Sequence, residues 1–314
     1  MSAWSNDDID SLIKMYVDGV KQKDIAIELG RTLKAVDSKI YNLQKDGVME
    51  KRLIRKKTSP KIFVFDIETS TLLFRGFSLK VNGYIPHKNV VKDWFVICWA
   101  GRWLGDKRIK HDVVTPEEAK NRDDKRVCAS LWEIFNEADI LIGHNADRFD
   151  IKKMNYRFCI KHNFNPPLPY KTIDTLKEGR KAFASTSHAL DYLARQLKIP
   201  AKLSTGFQLW VDCENGVRGA LQEMDAYCRH DIEIGEQIYL KVRPWMKTGV
   251  NLGLYTNLLA SVCPRCGSDD LVPEDKIATT GANAYETYRC VGCGHTGRTK
   301  KSTLNIDQRR KLML

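Results

Sequence analysis

Two acids, Asp66 and Glu68, stand two residues apart in the run Lys61-Ile-Phe-Val-Phe-Asp-Ile-Glu-Thr-Ser70. Strand side chains alternate between faces with period two. The spacing therefore puts both carboxylates on one face of a strand that otherwise reads as buried. Carboxylates buried side by side need a counter-charge. A divalent metal ion between them is the natural candidate.

Two further places carry acids in informative settings. The run Gly143-His-Asn-Ala-Asp-Arg-Phe-Asp150 follows a short apolar strand and contains Asn145 and Asp150 in an Asn-x-x-x-Phe-Asp pattern. The run Asp225-Ala-Tyr-Cys-Arg-His-Asp231 lies on a long helical stretch, where Tyr227 and Asp231 are one turn apart and share a face. Taken singly, each has a structural reading: a helix cap, or a Tyr–Asp hydrogen bond. Taken together, Asp66, Glu68, Asp150 and Asp231 can hold two Mg²⁺ or Mn²⁺ ions, which favour hard oxygen ligands. Two such ions about 3.5–4 Å apart clamp an in-line phosphoryl displacement. Tyr227 is then placed to orient the attacking water.

These three motifs resemble the DEDD superfamily of 3′–5′ exonucleases, in the branch with tyrosine in its third motif. The similarity covers roughly residues 61–245. It implies a ribonuclease H-like fold, with Asp66 and Glu68 as the first motif, Asn145 and Asp150 as the second, and Tyr227 and Asp231 as the third. The sister branch carries histidine five residues before the last aspartate. Ala226 stands there, so His230 has no such role. Asp147 is the rival to Asp150, and the Phe149–Asp150 pairing favours the latter. The resemblance also implies that Asn145 and Thr69 lie near the terminal nucleotide. Only about 70 residues follow position 245, too few for a polymerase. The expectation is a stand-alone exonuclease, similar to those of phages and bacteria.

A second metal site is written locally. Cys263-Pro-Arg-Cys266-Gly and Cys290-Val-Gly-Cys293-Gly are matched knuckles. Four thiolates at this spacing suit one structural Zn²⁺, and the module resembles a zinc ribbon. His295 is a competing ligand, but four cysteines already close the site. Redox or disulfide use needs no such matched pair. The ribbon either grips nucleic acid or docks and stabilises the protein.

The elements that must position these residues can be read from periodicity. Strands are expected at Ile62–Ile67, Trp94–Ala100, Arg108–Val114 and Asp139–Gly143. Helices are expected from Pro116, from about Phe149, at His188–Leu197 and at Ala220–Val242. The fold class is therefore α/β: a mixed sheet flanked by helices. Before it, residues 4–45 read as three short helices. Ile9, Leu12, Ile13, Tyr16 and Val17 form one apolar face, Gly30 closes the second helix, and Thr32 caps a third with Val36, Ile40 and Leu43 inward. This resembles a helix-turn-helix or Myb-like module, in which Arg31, Lys34, Ser38 and Lys39 would meet the major groove. A protein-interaction bundle is the alternative. The expected division is 1–48 helical module, 49–60 basic linker, 61–248 nuclease domain, 249–260 linker, 261–299 ribbon and 300–314 basic tail.

Charge is consistent with a polyanionic partner. The 314 residues carry a net +12, yet residues 1–50 hold seven Lys/Arg against nine Asp/Glu. Lys51–Lys61 contains six basic residues and no acid, and Arg298–Lys311 is again basic. The bland alternative is a solvated linker and tail. With no membrane-length apolar run and no signal-peptide pattern, a cytoplasmic protein of a bacterium or phage-infected cell is expected. The function that these readings favour is release of nucleoside 5′-monophosphates from DNA 3′ ends, with replication or recombination proteins as candidate partners. The rivals are an exoribonuclease and a DNA-binding regulator or recombination accessory protein with an inactive nuclease fold.

Overall fold

The computed structural model describes residues 4–18, 20–49, 59–78, 83–199, 205–247, 249–256 and 261–312. The chain forms two compact units, one of residues 1–59 with 255–260 and one of residues 60–254 with 261–314. Most of the basic stretch beginning at Lys51 lies outside the described residues.

The first unit is a three-helix bundle: α1 (Asn6–Val17), α2 (Gln22–Glu28) and α3 (Leu33–Lys45). Ser5 caps α1 through Asp8 N–H and Thr32 caps α3 through Ala35 N–H. Leu12, Tyr16, Ile25, Val36, Ile40 and Leu43 form its core. Val17, the last residue of α1, does not join them and is exposed.

The second unit is built on a five-stranded sheet. Its strands are introduced by β1 (Ile62–Thr69), a short hairpin of β2 (Leu73–Phe74) and β3 (Val90–Lys92), then β4 (Val96–Trp103) and β5 (Lys110–Val113). Helices α4 (Pro116–Asn121) and α5 (Lys125–Glu137) lead to β6 (Ile140–Gly143), α6 (Asp150–Tyr156) and β7 (Lys171–Asp174). Then come α7 (Thr175–Ala182), α8 (Leu190–Gln196), α9 (Phe207–Glu214) and the long α10 (Arg218–Val242). The strand order is β5-β4-β1-β6-β7, antiparallel on the β4 side of β1 and parallel on the β6 side.

β1 is therefore the central strand. Its two faces have different jobs. Phe63 packs edge-on against Trp103, and Phe65 against Phe135 of α5. Both rings are almost fully buried, and each such burial contributes about 1.5–3 kcal/mol. By alternation, Val64, Asp66 and Glu68 face the other way, toward α10, which packs on β1, β4 and β5. Among the described residues, no helix is long and apolar enough to cross a membrane.

The unit ends in a three-stranded sheet of β8 (Leu271–Thr280), β9 (Asn283–Cys290) and β10 (Thr296–Arg298), followed by the short α11 (Ile306–Arg310). His295 Nδ1 donates to the Pro244 carbonyl at 2.9 Å, and Leu252 N–H to the Pro264 carbonyl at 2.9 Å. These bonds tie the cysteine module to the chain that follows α10.

Candidate active site

Three carboxylates converge where α10 crosses β1. Ligand oxygens of Asp66, Glu68 and Asp231 all lie within 4.8 Å of one another. On α10, Leu221, Met224, Cys228, Asp231, Ile232 and Ile238 are buried at helical spacing. Asp231 thus occupies a position that packing would give to an apolar residue. The helix is held in register by polar contacts along its length. Asp225 pairs with His111 Nδ1 of β5 at 2.7 Å, and Glu236 with Arg102 of β4 at 3.1 Å. Between them, Cys228 Sγ donates to the backbone carbonyl of Asp66 at 3.7 Å.

Asp150 reaches β1 from the other side. It opens α6, is 3% exposed, and accepts the Ile67 N–H at 3.3 Å. It lies outside the group of three that converge within 4.8 Å. Burial pushes its carboxyl up to about 7, a shift that Asp174 reinforces and Lys153 opposes. The field at the site is negative in other ways too. The Cys228 thiol is raised well above its ordinary range by its bond with Cys98, by burial and by the charges of Asp66 and Glu68. Hard oxygen donors in this concentration fit a divalent cation such as Mg²⁺ or Mn²⁺.

Tyr227 is buried one turn before Asp231, edge-on to Trp210 of α9 at 6.4 Å between centroids. Asn145 sits in the turn between β6 and α6 with φ of 68°. Gly143 permits that turn, since a Cβ there would lie 2.6 Å from the Ala146 Cβ. Asp147 points elsewhere and pairs with Lys177 at 3.3 Å. His230 faces Glu233. Thr69 follows a bulge at the end of β1, and its hydroxyl accepts a bond from Lys153 Nζ at 2.9 Å.

Sequence reasoning missed two residues of this neighbourhood. Asp174 is 4% exposed and accepts from Asn145 and Asp147 N–H as well as from Leu176 and Lys177 N–H. It caps α7 and fixes the Asn145 turn with one side chain. The Asp174-Thr175 pair preceding a helix was the available signal. Lys153 is half-buried, 4.0 Å above the Trp94 ring and 4.7 Å above Phe149. Nothing in its sequence context marked it.

The cysteines of the C-terminal sheet form a separate cluster. Sγ atoms of Cys263, Cys266, Cys290 and Cys293 lie within 4.8 Å of one another. The separations Cys263–Cys293, 3.7 Å, and Cys266–Cys290, 3.5 Å, are far longer than a disulfide bond of about 2.05 Å. Four sulfurs so placed fit tetrahedral Zn²⁺. His295 has its Nδ1 engaged by Pro244.

In the helical unit, Lys34 and Ser38 are exposed on α3 and Lys39 is partly so. Arg31 is committed within the bundle. It pairs with Asp8 at 2.7 Å and lies 4.3 Å over the Trp4 ring.

A sequence model of the RNase H superfamily matches residues 96–242. No curated protein matches the chain. The mixed α/β sheet flanked by helices is ribonuclease H-like, and the likeness supports a metal-dependent, nuclease-type function on nucleic acid. The matched span holds Asn145, Asp150, Tyr227 and Asp231. It begins after β1, so Asp66 and Glu68 lie outside it; β1 is joined to the matched span by pairing with β4 and β6, by the Ile67–Asp150 bond and by the Cys228 bond to the Asp66 carbonyl.

Proposed function

We propose that the protein is a 3′–5′ exonuclease that hydrolyses the terminal phosphodiester of DNA and releases nucleoside 5′-monophosphates. The observation that carries this is the convergence of Asp66, Glu68 and Asp231 within 4.8 Å. Asp150, bonded to the same strand, is the fourth ligand. Together they would hold two Mg²⁺ or Mn²⁺ ions. When bound, such ions supply a nucleophile at neutral pH and neutralise the leaving oxygen. Tyr227, which packs edge-on against Trp210, orients the attacking water. Thr69 and Asn145 contact the terminal nucleotide.

The flanking modules bind and hold. Lys34, Ser38 and Lys39 of α3 would meet duplex DNA, with Arg31 stiffening the bundle rather than contacting bases. Cys263, Cys266, Cys290 and Cys293 would hold one Zn²⁺, which would stabilise the ribbon, whose β8 and β9 strands bury little. The α2–α3 arrangement favours DNA over RNA as the partner. Replication or recombination proteins are the natural company of such an enzyme.

End-labelled single- and double-stranded DNA, with matched RNA, tests the proposal in Mg²⁺ or Mn²⁺. A ladder shortening from the 3′ end of DNA, absent in Asp66→Ala, is expected. Cleavage of RNA alone would make the enzyme an exoribonuclease. Binding without cleavage of any 3′ end would favour an accessory role instead.

A further inference from the structure

The described residues of 71–92, namely 71–78 and 83–92, form an arm outside the core. They join β1, which carries Asp66 and Glu68, to β4, and include the β2–β3 hairpin. From Thr71 to Lys92, none of the described residues is buried. Yet the arm is rich in large apolar groups. Phe77 and Tyr84 are fully exposed, and Leu72, Leu73, Phe74 and Val91 are a little under half exposed. Large apolar side chains left exposed along a long connection suit a ligand rather than packing.

The charge of the arm says which ligand. Ser70–Lys92 contains Arg75, Lys80, Lys88 and Lys92 and no Asp or Glu. Aromatic rings interleaved with cations and free of acids match single-stranded nucleic acid, whose bases stack while its phosphates pair. The arm's roots are also fixed. Arg122 donates to Ser70 Oγ at 3.1 Å and to the Thr71 carbonyl at 2.9 Å on one side, and to the Asp93 carbonyl at 2.9 Å on the other. Glu214 accepts from Thr71 N–H and Oγ1, both at 2.7 Å, and pairs with Arg122 at 3.0 Å. The clamped root begins one residue after Thr69, at the carboxylate site.

We infer that this arm is a stacking platform for a single strand of nucleic acid leading into the carboxylate site, with Phe77 and Tyr84 as its stacking rings and Arg75, Lys88 and Lys92 on its phosphates. The destination of the strand rests on the nuclease proposal; the platform itself does not.

The test is fluorescence anisotropy of labelled oligothymidine with the full-length protein in chelator-free buffer lacking Mg²⁺ and Mn²⁺, so that any metal held by the four cysteines is kept. Stacking of a base on one ring is worth about 5- to 150-fold in affinity, so F77A/Y84A should raise Kd about tenfold or more. Trp at both positions should restore binding. Arg75→Ala should reduce the slope of log K against log salt by about 0.7. A Kd for F77A/Y84A indistinguishable from wild type overturns the platform. So does loss of binding to anionic lipid vesicles while oligothymidine binding stays. If wild type degrades no 3′ end but F77A/Y84A loses oligothymidine, the exonuclease proposal fails and the platform stands. If 3′ ends are degraded with KM unchanged in F77A/Y84A, the platform fails and the exonuclease stands.

Discussion

The cysteine cluster and the carboxylate cluster are assembled in opposite ways. The cysteine cluster is local: Gly267 and Gly294 each follow a knuckle with φ of 80°, and each N–H returns to the carbonyl of the first cysteine at 2.8 Å. Around it, β8 and β9 leave most residues exposed or half-exposed. The carboxylate cluster is the reverse. Asp66 and Glu68 come from β1 and Asp231 from α10, and the packing of α10 on the buried sheet brings them together, with Asp150 of α6 bonded to the same strand. In the first the cation would hold the fold; in the second the fold holds the place for a cation. Losing a ligand should therefore damage structure at one site and chemistry at the other.

Asp66→Ala is the sharpest way to break that contrast. Cleavage of 3′-ended DNA should fall about 10³-fold or more, roughly 4 kcal/mol of transition-state stabilisation. Stability without metal should not fall, since one of three converging like charges is gone. Added Mn²⁺ should raise the Tm of wild type by mass action and leave the variant's unchanged. A fall in metal-free Tm with activity intact would reverse the assignment of roles.

Cys263→Ser should do the opposite. Zinc content measured by atomic absorption should drop from one per chain to none. Amide protection should vanish across β8–β10 and persist in β1, β4 and β6, because the sheet core does not depend on the ribbon. Single-strand cleavage should change less than in Asp66→Ala. Full retention of zinc would show that the site does not need all four sulfurs.

Asp174→Ala falls between the two, since this residue is both structural and adjacent to the site. It removes a helix cap and two bonds to the Asn145 turn. A loss of about 2–4 kcal/mol in urea unfolding is expected. Activity should fall as well, because Asn145 is no longer held. Asp174→Asn, which keeps the acceptor oxygen, should recover most of the stability.

The difference in assembly also governs what the sequence could reveal. The cysteine knuckles are contiguous, so spacing alone specifies them. The Asp66/Glu68 pair is legible because strand alternation is local, and the three core helices of the first unit follow from their apolar faces. β7, however, is only Lys171–Asp174, with one strongly apolar residue, and its place comes from pairing with β6. The exposed β2–β3 hairpin has no burial pattern to read. Arg31 looked like a groove contact because charge is visible in sequence. Its pairing with Asp8, 23 positions away, is not. Lys153 and Arg122 likewise acquire their partners only in three dimensions.

Backbone conformation gives the finest comparison. Asn145, like Gly267 and Gly294, has positive φ, but asparagine bears a side chain where the knuckles have none. Glycine adopts this region without a Cβ penalty, whereas an L-residue meets a cost of about 1–2 kcal/mol that Asn partly offsets. Retaining Asn at such a cost makes sense if its amide is used. Asn145→Gly should therefore leave stability within about 1 kcal/mol of wild type, by urea denaturation, while raising KM for 3′-ended DNA. Gly294→Ala should show the other pattern: about 1–2 kcal/mol lost in the ribbon and KM unchanged. If Asn145→Gly left KM unaltered, the left-handed turn would be serving Ala146 and Asp174 alone, and Asn145 would have no part in holding the nucleotide.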